Sequence, residues 1–331
     1  MTSLALLPDP SSPLSRESAR QAFADILDGR ATEQSIADFL VRLSDRGETS
    51  LEIAEAARSL RERLVPINAP PGAIDVCGTG GDGHHTLNVS TAVALVVAAA
   101  GVPVAKHGNR AASSKAGAAD TLEALGLDMG RAGAMAEESL RDLGICFLFA
   151  ANHHPAMRRI QPIRQRLGRR TIFNLMGPLA NPAHVTRQLL GIARPDYAPV
   201  FAEALTQLGT EAALVVSGEE AIDELSGAGP TVVVSVGSVA LPEHVTPEDA
   251  GLPRHPISAI RGGDAFENAA ALRRLLNGQG GAYRDAVLLN AAAALVVAGR
   301  TASLKEGAEI AGGALDAGGA ARLLDTWIAY A

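Results

Sequence analysis

The chain has 331 residues, 47% hydrophobic and 20% charged, with a formal net charge of −7; that length suggests one large domain plus a smaller one, in an ordinary soluble globular composition. Only 3% of residues are aromatic, which argues against stacking platforms for single-stranded nucleic acid and for a core of aliphatic side chains and close backbone approaches. An acidic chain has no global field to attract phosphates, so an anionic substrate must be met by local backbone dipoles, a few placed cations or a metal.

The opening MTSLALLPDPSSP lacks a basic n-region and a long apolar stretch, so no signal peptide is expected. Residues 13–66 predict three helices. In the second, Ile36, Phe39, Leu40 and Leu43 share one face, with Thr32 as its cap and Gly47 past its end. In the third, Thr49 and Glu52 have capping-box spacing, and Ile53, Ala57, Leu60 and Leu64 form the apolar stripe. Asn68-Ala69-Pro70-Pro71-Gly72 breaks this pattern and divides a helical domain, 1–71, from a larger domain, 72–331. Part of 160–185 is a candidate addition to the helical unit.

Beyond residue 72, short apolar runs at 73–77, 102–105, 145–150, 189–193, 213–217 and 231–236 alternate with helical stretches. That alternation predicts an α/β domain with a central, largely parallel sheet flanked by helices. The longest apolar run, 89–104, is interrupted by Ser90, Thr91, Gly101 and Pro103. It reads as a buried helix and strand rather than a membrane span, and a cytoplasmic location follows by elimination. The nearly apolar stretch 285–297 predicts a helix buried against the sheet. Cys77 and Cys146 lie in apolar runs and read as small buried hydrophobes, not a disulfide framework.

The first strand runs into Gly78-Thr79-Gly80-Gly81-Asp82-Gly83. This matches the dinucleotide fingerprint literally but fails on context, because no acidic residue lies between Asp82 and Asp120 to hold a ribose. No G-x-x-x-x-G-K-[ST] occurs here, which excludes a P-loop. Two readings stay open for the turn itself: an anion site, with Thr86, Asn88, Ser90 and Thr91 at a helix start, or a plain strand-to-helix turn with a hydroxyl cap. A second cluster favours the anion site. Lys106-His107-Gly108-Asn109-Arg110, followed by Ser113-Ser114-Lys115, gathers cations, an amide and hydroxyls just past the second strand, at the sheet edge where open α/β folds bind ligands.

Together, GTGGD at 78–82, N-x-S-T at 88–91 and KHGNR at 106–110 resemble the anthranilate phosphoribosyltransferase family. The resemblance continues through SSK-x-G at 113–117, FLFA-x-NHHPAM at 147–157, R-x-x-LG-x-RTIFN-x-x-GPL-x-NP at 164–182, Asp223-Glu224 and AYRD at 282–285, and so covers nearly the whole chain. It implies a nucleoside phosphorylase/phosphoribosyltransferase-like fold, Mg2+, and a homodimer joined through the helical domains. It assigns 5-phosphoribosyl 1-diphosphate to Gly78, Gly81, Asp82, Thr86, Asn88, Val89, Ser90, Thr91, Lys106, His107, Gly108, Asn109, Arg110, Ala111, Ala112, Ser113, Ser114 and Ala118. Anthranilate falls to Gly78, Asn109 and Arg164, and metal to Ser90, Asp223 and Glu224. Three departures stand out: the family commonly has Ser where this chain has Ala111-Ala112 and Ala118, and Gly-Leu where it has Ala221-Ile222.

The chemistry fits these residue types. Breaking the ribose C1–diphosphate bond builds an oxocarbenium-like sugar and a departing anion. Carboxylates and phosphate oxygens suit magnesium, and adjacent acids on an extended loop point in different directions. An aromatic amine is neutral at physiological pH and needs no strong base; no general base is named, and His107 and His154 are the nearest candidates for proton handling, each with pocket-shaping as the alternative role. Arg164 offers a planar fork for the acceptor carboxylate. Two other readings compete: a pyrimidine nucleoside phosphorylase, and a silent family member binding nucleic acid. The KHGNR and RTIFN segments weigh against the first, and the acidic balance and intact Asp223-Glu224 pair against the second.

Overall fold

The computed structural model describes residues 4–111 and 115–331, so the expectations placed on Ala112, Ser113 and Ser114 lie outside the described residues. The chain opens with helices α1 (Arg16–Leu27), α2 (Glu33–Arg46) and α3 (Ser50–Arg61). Their starts are set by Ser15, Thr32 and Thr49, each accepting a backbone N–H three residues on, and Thr49 with Glu52 closes the capping box. Leu64 lies past the end of α3, because the last helical turn closes at Arg61.

Then follow β1 (Ile74–Gly78), α4 (Val89–Ala99), β2 (Val104–Gly108), α5 (Ala118–Ala124), α6 (Met129–Ala134), α7 (Ala136–Leu143), β3 (Ile145–Phe149), α8 (Ala150–His153) and α9 (Met157–Leu167). The remainder is β4 (Arg187–Gly191), α10 (Ala198–Gln207), β5 (Ala212–Gly218), β6 (Thr231–Gly237), β7 (His244–Val245), α11 (Ala265–Leu276), α12 (Ala282–Val297), α13 (Leu304–Asp316) and α14 (Gly319–Tyr330). The strands form one sheet in the order β3-β2-β1-β4-β5-β6-β7. The first five are parallel, and β6 and β7 are added antiparallel.

Both faces of the sheet are covered, which is why its strands read as continuous apolar runs. Along β5, Ala212, Leu214 and Val216 face a core shared with α4 and α12, while Ala213 and Val215 face the opposite core. Helices α4 and α12 are buried on nearly every side. Small residues let them pack tightly: a Cβ on Gly307 of α13 would press on the Ala292 backbone of α12. The opposite core joins α10 to the helical layer. Ile160, Ile163, Ile172 and Phe173, from the chain's middle, share one apolar cluster with Phe23, Ile26, Phe39 and Leu40. No helix among the described residues is long and apolar enough to cross a membrane.

Candidate active site

The carboxyl ends of β1, β2 and β4 place the candidate residues. Gly78 is the last residue of β1 and pairs in register with Gly191 of β4. Both must be glycine for a packing reason. A Cβ on Gly78 would overlap the Asp223 carboxylate, and one on Gly191 would overlap the Asp223 backbone carbonyl. The two glycines form a cradle that seats the acidic loop on the sheet edge. Asp223 Oδ2 then accepts the Gly80 N–H at 2.7 Å, so the glycine turn and the acid hold one another.

The two acids diverge, as adjacent residues on an extended loop do. Asp223 turns to Gly80 and Asp82, while Glu224 lies toward the Ser90 backbone at the start of α4. Each carboxyl is pushed above its ordinary range, first by burial and next by a neighbouring acid: Asp82 for Asp223, and Asp223 for Glu224. The pair is therefore short of positive charge. Lys106 is the cation nearest to hand, acting to lower Glu224.

Lys106, His107 and Gly108 do not follow the second strand, as the sequence suggested; they are its last three residues. Their pairing with Phe147, Leu148 and Phe149 of β3 extends β2 to Gly108. Lys106 is buried, and its Nζ donates to the Val76 carbonyl at 2.8 Å and the Ser90 hydroxyl at 3.1 Å. Burial lowers its pKa, opposed by Asp75. Asp75 is itself wholly buried beneath the strand ends. It accepts the His107 N–H at 3.1 Å and the Asn181 amide at 2.8 Å.

His107 is not one of the loop's cations. Burial, with His154 as the next cause, drops its pKa to about 3. Its Nδ1 lies 2.8 Å from the Gly177 carbonyl, which only accepts, so Nδ1 carries the proton; Nε2 then accepts from His154 Nε2 at 3.2 Å. His154 is lowered to about 4 by burial and His153. With both nitrogens of His107 engaged, its evident work is to hold Gly177, not to carry protons.

Arg110 is also more committed than the motif implied. Its guanidinium pairs with Asp120 and Glu123, both on α5, at 2.8 Å each, and lies over Phe149. Asn109 is exposed beside it, and Ala111 donates its N–H to Asp120. Ala118 begins α5. No hydroxyl replaces the family's serine at the two described alanine positions, so the backbone is what these positions offer.

At the mouth of α4, Asn88 gives the helix no side-chain cap. Its Oδ1 is taken by Thr121 at 2.6 Å and Asn268 at 2.9 Å, and its carbonyl accepts from Tyr283 at 3.2 Å. Val89 and Thr91 are buried, and among the described residues Thr91 Oγ1 has no partner. A buried hydroxyl without a partner costs about 1–3 kcal/mol, and at a helix N-terminus its natural partner is an anion. Thr86 forms an isolated antiparallel bridge with Arg261.

Arg164 sits on α9, half-buried, with burial lowering its pKa. Among the described residues it has no ion pair, and its one polar partner is Gln161 at 3.5 Å. It makes no hydrogen bond to any other described candidate residue. Sequence reasoning missed the residues that shape the site from behind: Gly191, Asp75, Asn181 and Arg170, whose guanidinium donates to the Gly80 carbonyl. The spacing of Asp75 ahead of GTGGD was a visible signal, whereas Gly191 had none.

Ala221, two residues before the acids, has φ of 61°. A non-glycine residue there costs about 1 kcal/mol or more. Ala221→Gly is expected to raise the unfolding free energy by up to about 1 kcal/mol, read from urea denaturation; an unchanged or lower midpoint would show that the loop carries no such strain.

Comparison with known proteins gives the arrangement its context. The family model described as "Glycosyl transferase family, helical bundle domain" matches residues 10–64, and that described as "Glycosyl transferase family, a/b domain" matches residues 70–321. An anthranilate phosphoribosyltransferase of Novosphingobium aromaticivorans is 65% identical over 98% of this chain and 99% of its own. Its counterpart in Sphingopyxis alaskensis is 64% identical over the full length of both. The crystal structure of the Thermus thermophilus enzyme superposes with a TM-score of 0.90 at 47% identity, covering 97% of this chain and 96% of that one. The Saccharomyces cerevisiae enzyme in complex with PRPP and Mg superposes with a TM-score of 0.86 at 29% identity, covering 96% and 93%. The chain belongs to the anthranilate phosphoribosyltransferase family.

Proposed function

We propose that this protein transfers the phosphoribosyl group of 5-phosphoribosyl 1-diphosphate to the amine of anthranilate, yielding N-(5-phosphoribosyl)anthranilate and diphosphate, in tryptophan biosynthesis. The observation that carries the reading is the glycine-cradled pair Asp223 and Glu224, set between the glycine turn and the start of α4.

The donor's phosphates are assigned to that edge: Gly78, Gly81, Asp82, Thr86, Asn88, Val89, Ser90 and Thr91 on the first side, and 106–114 with Ala118 on the second. The orphan Thr91 hydroxyl and the uncapped start of α4 fit an anion. Mg2+ fits the same place. Among the described residues no cluster of three or more His, Cys, Asp or Glu forms a cage. Two carboxylates pushed up by burial and by neighbouring acids would hold such an ion with the Ser90 hydroxyl, the remaining positions falling to phosphate and water. When bound, Mg2+ supplies positive charge to the departing diphosphate.

Arg164, which lacks an acidic partner among the described residues, is assigned to the anthranilate carboxylate with Asn109 and Gly78. The amine nitrogen attacks C1 with its own lone pair as the C1–oxygen bond breaks and the pair leaves with diphosphate; the nitrogen then gives its extra proton to water. His107, neutral and doubly engaged, orients the Gly177 segment and is not assigned as the base. We further infer, from the family resemblance, a homodimer joined through the helical layer and working in the cytoplasm. Loss of anthranilate fluorescence on adding the diphosphate sugar and magnesium tests the reaction, and an unchanged signal would refute it.

Lys106 serves the donor side in this reading. Lys106→Met keeps the stem's bulk but removes the charge beside Ser90 and Glu224. It should raise the KM for the donor about tenfold or more and leave the KM for anthranilate nearly unchanged. Equal weakening toward both substrates would show that Lys106 supports the fold instead.

A further inference from the structure

Arg170 spans the gap between the helical layer and the glycine turn. Its backbone carbonyl accepts the Ser44 hydroxyl of α2 at 3.2 Å. Its side chain reaches the other way, and Nη2 donates to the Gly80 carbonyl. The guanidinium lies directly on the turn: a Cβ at Gly81 (φ +73°) would overlap it. The residue it grips is tied to the acidic loop as well, since the Gly80 N–H donates to Asp223.

The neighbouring arginines are committed to the helical layer. Arg166 pairs with Glu33 and Arg169 with Asp45. Among the described residues Arg170 has no carboxylate partner, though it is exposed. A full positive charge with five donors is thus held against a neutral carbonyl, at the lip of a turn built to meet an anion. Arg110, the arginine that the KHGNR motif offered for phosphate, is already neutralised by two acids.

We propose that Arg170 is a binding and positioning residue for the donor's diphosphate. It latches the glycine turn in the free protein and passes its guanidinium from the Gly80 carbonyl to diphosphate oxygens on binding, so that the helical layer and the sheet edge close on the donor together. This rests on the donor assignment above, but it is tested on the diphosphate alone.

The experiment compares the unaltered protein with Arg170→Ala and Arg170→Lys, titrating inorganic diphosphate in the presence of magnesium by calorimetry and measuring KM for both substrates. Arg170→Ala should weaken diphosphate binding and raise donor KM by about tenfold or more, with anthranilate KM within about twofold and an unchanged thermal midpoint. Arg170→Lys should recover part of the affinity, because the charge returns without the fork. Undiminished diphosphate binding by Arg170→Ala overturns the proposal. So does a loss toward both substrates with a lowered thermal midpoint, which marks a purely structural strut. If the unaltered protein binds diphosphate through Arg170 yet transfers nothing to anthranilate, the proposed reaction falls and the latch stands.

Discussion

Asp223→Asn and Glu224→Gln should each lower kcat/KM for the donor by about 30- to 1,000-fold, equivalent to about 2–4 kcal/mol of lost charge stabilisation on the leaving group. The substitutions keep shape while removing the charges. The amide introduced by Asp223→Asn would still offer an oxygen to the Gly80 N–H, so the turn should hold its form. The loss should therefore appear without a loss of stability in metal-free buffer. Neutralising either residue removes a buried carboxylate charge, and Asp223→Asn also removes the repulsion that helps push Glu224 up. The measurement is steady-state kinetics over a magnesium series, paired with thermal unfolding in EDTA. Full turnover in EDTA, or a double variant as active as the unaltered protein, would remove the acids from the mechanism.

The second large effect lies on the acceptor side. Arg164 is half-buried on α9 without an ion pair among the described residues. If its fork binds the anthranilate carboxylate, Arg164→Ala should weaken acceptor binding by about 1.5–3 kcal/mol, or about ten- to a hundredfold, with donor affinity barely moved. Arg164→Lys should rescue only partly. The discriminating design is a cycle of two proteins and two acceptors, with aniline standing for anthranilate without its carboxylate. Aniline should be a poor acceptor for the unaltered protein and nearly indifferent to the substitution. An equal penalty on both acceptors would mean that Arg164 does not read the carboxylate.

The layered fold was legible in the chain because its signals are local. Thr32, Thr49 and Glu52 mark helix starts that the structure keeps, and the apolar runs of the sheet survive within a few residues. The strand ends were less legible. Lys106 and His107 read as loop because they are polar, yet β1 and β3 bury them, and hydrogen bonds to Val76, Ser90 and Gly177 make that burial tolerable. The charge state of His107 and the two acids closing on Arg110 arise from residues far apart in sequence or across a loop, where spacing carries no distance. Gly191 is the plainest case. Nothing near it in the chain marks it, and its role exists only because Asp223, 32 positions on, folds back over it.

The helical layer is finished by residues that come late. Phe23 packs edge-on against Phe39 and also against Phe173, with ring centroids 6.0 and 6.4 Å apart, and Ile160 and Ile163 complete the same cluster. During synthesis, α1 to α3 leave the ribosome about a hundred residues before Ile160 and Phe173 do, and α10, whose Phe201 and Leu205 belong to the same cluster, follows later still, at roughly 5–20 residues per second. For those seconds the nascent bundle exposes the face that Phe173 will cover. The amino-terminal helices thus cannot mature as an independent module ahead of the rest. Their completion waits on β1 to β3 and on the return of the chain through α9 and α10, which makes this early-synthesised bundle late to close.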